Sequence, residues 1–242
     1  MIPMSDGVHF YSAGPLSVLG IIIVIGLIVL IIPLLFLGLI GEAFTRLGFS
    51  WIAAVVVVLL MLLGSFINIP LWKIRRDTVR ISHEEGMSMT TVDTAWADTP
   101  VWDTIISLNF GGAVIPVAVS LYFLYRALLV SNSSLVEYVI AGILIVAAVA
   151  YVTTRSLTGV GIRSPLFIPG LTALLVGFFL SGQIGLSAGV IAFVSGVFGT
   201  LLGANIAHLP AAKNLEVPQI SIGGAGTFGA VFISCILSAL IA

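Results

Sequence analysis

Residues 16–40, LSVLGIIIVIGLIVLIIPLLFLGLI, hold 25 amino acids without one charge. A helix needs about 20 apolar residues to cross a hydrocarbon core of about 30 Å, so this stretch is long enough to span. It is too long for the apolar region of a signal peptide, roughly 7 to 15 residues, and no basic flank precedes it, so it reads as a retained helix. Applied along the chain, the same measure finds further apolar runs at 51–72, 104–130, 135–153, 165–181, 185–208 and 221–242. The expectation is an all-α, polytopic transmembrane bundle of about seven spans, a single integral membrane domain over 1–242. The run at 165–181 is the weakest, because it is short and contains Pro169 and Gly170.

Composition supports the same class. Of 242 residues 60% are hydrophobic and 8% charged, whereas a water-facing surface brings the charged share to about 25%. Nine Lys and Arg stand against ten Asp and Glu, so there is no basic field for nucleic acid. The partner implied is the lipid bilayer, with a membrane protein or a second copy of the chain as further candidates. The single cysteine, Cys235, lies in the last apolar run and reads as a small hydrophobe.

The one long connection, 73–103, carries ten of the nineteen charged residues. Positive residues are retained in the cytoplasm. One set of alternate loops holds Lys73, Arg75, Arg76, Arg80, Arg155, Arg163 and Lys213, the other only Arg46 and Arg126. This places the N-terminus and the 73–103 loop in the cytoplasm and the C-terminus outside. Within the loop, His83, Glu84, Glu85, Met87 and Met89 have no fixed ligand spacing and mix soft with hard donors, so they read as a solvated loop and no metal is assigned.

No acid or base lies near the middle of a run, although intramembrane charges mark proton relays, ion sites and catalysis. No catalytic residue, enzyme activity or cofactor is therefore expected. What remains is neutral polarity. Asn68, Asn109 and Asn205 read either as a shared polar pocket passing or binding a small solute or ion, or as hydrogen bonds between helices. Gly223, Gly224 and Gly226 read either as a broken helix whose backbone binds a ligand or as close packing. Ser195, Gly199 and Gly203, spaced by four, and Gly229 read as helix-packing positions, bringing the sixth and seventh runs against each other or against common neighbours. Pro116, after Gly111 and Gly112, is expected to kink the third run.

Five stretches carry a family likeness: GSFINIP at 64–70, NFGGAVIP at 109–116, GVGI at 159–162, GTLLGAN at 199–205 and SIGGAGTF at 221–228. Together they resemble a family of archaeal and bacterial multi-pass membrane proteins known only as a domain of unknown function. The resemblance implies a prokaryotic membrane location and supplies no activity. The family pattern has aspartate at the positions of Asn205 and Gly229, which would be similar to intramembrane aspartyl proteases of the presenilin and prepilin-peptidase type. Such chemistry needs two carboxylates sharing a proton. With Asn205 and Gly229 in those places, the resemblance implies a degenerate, inactive site. A structural subunit of a membrane complex is the remaining alternative.

Overall fold

The computed structural model describes residues 15–74, 103–130, 134–215 and 217–242. The His83–Met89 cluster lies outside these residues, as does most of the 73–103 loop.

Helix α1 (Pro15–Arg46) is 32 residues long. Its stretch Val18–Ile31 is exposed along its whole length, while Ile40, Ala43 and Phe44 near its end are buried. The chain then reverses, and the end of α1 and α2 (Trp51–Gly64) meet at 118°. Ser50 caps α2, its hydroxyl accepting from the Ala53 N–H at 3.3 Å.

Past Gly64 the expected second span is not a continuous helix. Pro70 disfavours helical backbone at Ile69 and has no N–H to give, and the chain leaves α2 for strand β1 (Asn68–Ile74). The expected third span likewise begins as strand β2 (Thr104–Asn109), a stretch that opens with three consecutive β-branched residues, Thr104, Ile105 and Ile106. It passes through a π-helical turn (Phe110–Val114) into α3 (Ile115–Val130). Pro116 follows the π-helical turn immediately, and having no N–H it leaves a carbonyl of that turn without its helical partner.

Helix α4 (Ser134–Thr153) is unbroken and leads to a small hairpin, β3 (Arg155–Leu157) and β4 (Gly161–Arg163). Helix α5 (Ile168–Ser181) follows, then α6 (Leu186–Thr200), which continues through a second π-helical turn (Leu201–Asn205) and a 3-10 segment (Ile206–Asn214). Strand β5 (Gln219–Ile222), a glycine turn and α7 (Phe228–Leu240) complete the chain.

Helix α6 is the axis. It is buried on almost every side and packs against α3, α4, α5 and α7. Phe193 on α6 meets Phe44 of α1 and Phe123 of α3 edge-on, at ring separations of 5.9 and 5.0 Å. Such T-shaped pairs place a ring's positive edge on its neighbour's negative face. Beside this bundle lies a three-stranded sheet in the order β1-β2-β5. β1 is antiparallel to β2, and β2 is parallel to β5, with Ile105 opposite Gln219 and Leu108 opposite Ile222. The register of β1 shifts between Pro70 and Trp72, so the exposed edge strand carries both a proline and a bulge, two devices that discourage further strand pairing.

Two expectations are therefore corrected. The fold is mostly helical but not all-α, and seven spans are not supported. Among the described residues three helices are long and apolar enough to cross a bilayer: Phe110–Leu129, Ser134–Thr153 and Leu186–Ala211. The bent pair Ile40–Arg46 and Trp51–Gly64 makes a fourth if it counts as one span. Helices α5 and α7, at 14 and 13 residues, reach only about 20 Å, short of a core of about 30 Å. The physical reason is that an apolar run records burial, not backbone conformation, and several runs divide between helix and strand.

Candidate binding cavity at the sheet edge

Asn109 ends β2 and begins the π-helical turn. Its side-chain oxygen accepts from the Gly112 N–H at 2.7 Å, an N-cap bond that satisfies a donor left free where strand becomes helix. Its amide nitrogen donates to the Ser65 carbonyl at 2.7 Å and to Asn68 Oδ1 at 3.0 Å. Asn109 is 0% exposed, and both its donors and its acceptor are used within the protein.

Asn205 plays a corresponding part on the other side. Its Oδ1 accepts from the Gly223 N–H and its Nδ2 donates to Thr227 Oγ1, each at 3.2 Å. It is 1% exposed. The two asparagines thus hold the two points where parallel strands β2 and β5 turn into helices. Those turns touch: a Cβ on Gly112 would land on the Gly223 carbonyl, and one on Gly223 would lie 2.6 Å from the Gly112 carbonyl oxygen. Gly223 also has φ of +72°, which side-chain-bearing residues seldom adopt. Gly112 and Gly223 are therefore required to be glycine by close backbone approach, and the second also by conformation.

The three asparagines do not share one pocket. Asn68 and Asn109 are bonded to each other, while Asn205 belongs to a separate buried group with Thr227 and Gly223. Asn68 alone is exposed, at the start of β1, where its Oδ1 also accepts from the Ser221 hydroxyl. Here a cavity of about 140 Å³ opens between β5 and the β3–β4 hairpin. Asn68, Gln219 and Ser221 line it beside Ile220 and Ala225, and residues 160–162 of the hairpin form the facing wall. Gln219 Nε2 donates to Ser107 Oγ at 2.7 Å, which fixes the amide and leaves its oxygen without a partner among the described residues. Asn68 Nδ2 likewise makes no hydrogen bond to a described residue. The cavity lining thus includes an uncharged donor and an uncharged acceptor, with no titratable side chain.

The other sequence-derived positions are packing points. A Cβ on Gly224 would strike Ser221, and one on Gly226 the Ile162 carbonyl of β4, so the glycine turn lies directly beneath the hairpin. The stripe Ser195, Gly199 and Gly203 faces α4, not α7: Ser195 lies against Gly142, Gly199 within 2.6 Å of Val146 by its missing Cβ, and Gly203 against the Ala147 carbonyl. Contact between α6 and α7 runs instead through Gly196 and Ser234, 3.0 Å apart on the same measure. Gly229 lies against the Leu166 side chain. Among the described residues no three His, Cys, Asp or Glu side chains gather as a metal site.

A family model described as "Protein of unknown function (DUF1614)" matches residues 62–241. The chain belongs to the DUF1614 family. The match begins near the end of α2 and takes in the sheet, both strand-to-helix turns and α3 to α7, so the candidate cavity lies wholly within the DUF1614 region. No curated protein and no solved structure matches the chain, and nothing in the comparisons supports the likeness to intramembrane aspartyl proteases.

Sequence reasoning missed Ser107, Gln219, Ser221 and Thr227. The signal was present for two of them: Gln219 and Ser221 alternate with isoleucines in QISI, the period of two that marks a strand, whereas the polar residues of TIISLN fall at 104, 107 and 109 without that period.

Proposed function

We propose that this DUF1614 protein is a multi-pass membrane protein that binds a small, uncharged polar solute in the cavity between β5 and the β3–β4 hairpin, without making or breaking covalent bonds. The observation that carries the reading is the convergence of Asn68, Gln219 and Ser221 on one cavity in an otherwise apolar molecule. Asn68 and Gln219 are exposed and present a free amide donor and a free amide acceptor, which a solute carrying its own acceptor and donor can pair. No charged side chain lines the cavity, which disfavours an ion, since a desolvated charge needs a counter-charge. At about 140 Å³ the space is below the roughly 300–1,000 Å³ of pockets for drug-sized ligands, so the solute has only a few heavy atoms. Binding is preferred to passage because the Gly112–Gly223 contact, with Asn109 and Asn205 buried beside it, closes the interior beyond the cavity.

The division of basic residues drawn from the apolar runs favours an N-terminus and a 73–103 segment in the cytoplasm, and with them a cavity mouth facing that side. One experiment tests both readings. In a Cys235→Ala background, Ser221→Cys is treated with a membrane-impermeant, water-soluble thiol reagent in intact cells and in inverted vesicles. Labelling in inverted vesicles only is the expected result. Labelling in intact cells overturns the orientation, and failure to label in either preparation shows a dry site and overturns the solute reading.

A structural role in a larger membrane assembly is the second reading. It is supported by the Val18–Ile31 stretch of α1, apolar on every side and uncovered by the other described residues; lipid, a membrane-protein partner or a second copy are its possible covers. The degenerate-protease reading is left without support, because Asn205 is committed to Gly223 and Thr227 and Gly229 lies against Leu166.

A further inference from the structure

The β3–β4 hairpin pairs Arg155 with Arg163 directly across its two strands. Residues so placed have Cβ atoms about 4.5–5.5 Å apart, and like charges there repel. Among the described residues neither arginine has an acidic partner in an ion pair. Both border a second cavity of about 600 Å³ that is separate from the solute cavity. Ser164 lines the same space, and its buried hydroxyl oxygen has no hydrogen-bond partner. Ile168, the first residue of α5, lines it too, and no side chain caps that helix. A helix N-terminus favours negative charge. Two guanidinium forks, a free hydroxyl and a helix start form a donor set suited to an oxyanion with several acceptor oxygens, and arginine matches phosphate with paired hydrogen bonds. Val152, Leu157 and Pro165 add apolar lining, and the Thr153 hydroxyl beside them donates back to the Val149 carbonyl at 2.7 Å.

We propose that this cavity binds the phosphodiester of an anionic phospholipid, with Arg155, Arg163 and Ser164 on the headgroup and an acyl chain along Val152, Leu157 and Ile168. The assignment goes beyond the solute reading and does not depend on it. The Ser164 N–H donates to the Gly226 carbonyl at 2.9 Å, and residues 160–162 of the same hairpin wall the solute cavity. A lipid held by the arginines therefore fixes the position of that wall.

The test is saturation binding of a fluorescent short-chain phosphatidylglycerol to the purified full chain in dodecyl maltoside micelles. Arg155→Gln and Arg163→Gln should each weaken binding about tenfold, the usual effect of losing a charged hydrogen bond. Arg163→Lys should fall between parent and Arg163→Gln, and Arg126→Gln, whose guanidinium lies by Tyr122, should bind as the parent does. Unlabelled phosphatidylglycerol should displace the probe and phosphatidylcholine should not. Undiminished binding in a folded Arg155→Gln, Arg163→Gln double variant overturns the proposal, as does equal displacement by phosphatidylcholine. Displacement by millimolar inorganic phosphate at the same sites overturns the lipid as occupant and assigns the arginines to a soluble phosphate.

Discussion

Adding one carbon at Gly112 should pry apart the two strand-to-helix turns. A Cβ there lands on the Gly223 carbonyl and lies 2.8 Å from the Phe228 ring, whereas carbon atoms pack at about 3.5–4.0 Å. The backbone of one turn must retreat by about an ångström or more. Overpacking of this kind costs about 1–3 kcal/mol. Two bonds are strained by the retreat, Gly112 N–H to Asn109 at 2.7 Å and Gly223 N–H to Asn205 at 3.2 Å, at about 1 kcal/mol each. Replacing glycine by alanine in helical backbone returns up to about 1 kcal/mol. The net loss for Gly112→Ala is about 2–4 kcal/mol, or roughly 4–16 °C in melting temperature for a chain of this size. Thermal unfolding in detergent, followed by circular dichroism, measures it. Gly26→Ala is the control, because its added carbon meets nothing within 4 Å; it should melt at or above the parent temperature. Gly223→Ala should resemble Gly112→Ala, and the double variant should cost less than the two losses together, since they open one contact. If Gly112→Ala melts within about 2 °C of the parent, the turns do not depend on this contact and the reasoning fails.

Two further outcomes follow from the same geometry. Asn109→Asp removes both donors from the Ser65 carbonyl and Asn68 and sets a buried carboxylate against two acceptors; it should destabilise by about 3–5 kcal/mol, and a melt no lower than that of Asn109→Ala would refute the bonding scheme. Gly203→Leu drives a side chain into the Ala147 carbonyl of α4 and should lower the melting temperature more than Asn205→Ala, whose lost bonds are worth about 0.6 kcal/mol apiece in a membrane bundle; the reverse order would show that the α4–α6 contact is loose.

The cavity itself was only half legible. Asn68 stood out as a polar residue in an apolar run, but its neighbours in the site, Gln219 and Ser221, are about 150 positions away in the chain. They reach it because β5 lies parallel to β2 and β2 lies beside β1. Asn109 and Asn205 drew attention by the same signal, yet they cap strand-to-helix turns, a role set by which backbone N–H groups the fold leaves without partners. Arg155 and Arg163 were visible only as contributors to charge asymmetry, because the hairpin that sets them opposite each other forms over three-residue strands.

What the sequence determined by itself was a composition compatible with a membrane: long uncharged runs and a small charged fraction favour an apolar environment whatever the backbone does, because that preference is a local property of side-chain transfer. It also drew attention to the glycines, but the run-length measure passed straight through Asn68-Ile69-Pro70, where the structure ends the helix and begins β1. The tertiary structure alone decided that three of the apolar runs contain strands, that the Ser195–Gly203 stripe seats α4, and that Gly112 meets Gly223. Strand pairing and backbone contact join residues more than a hundred positions apart, and their energies exist only once both partners are in place.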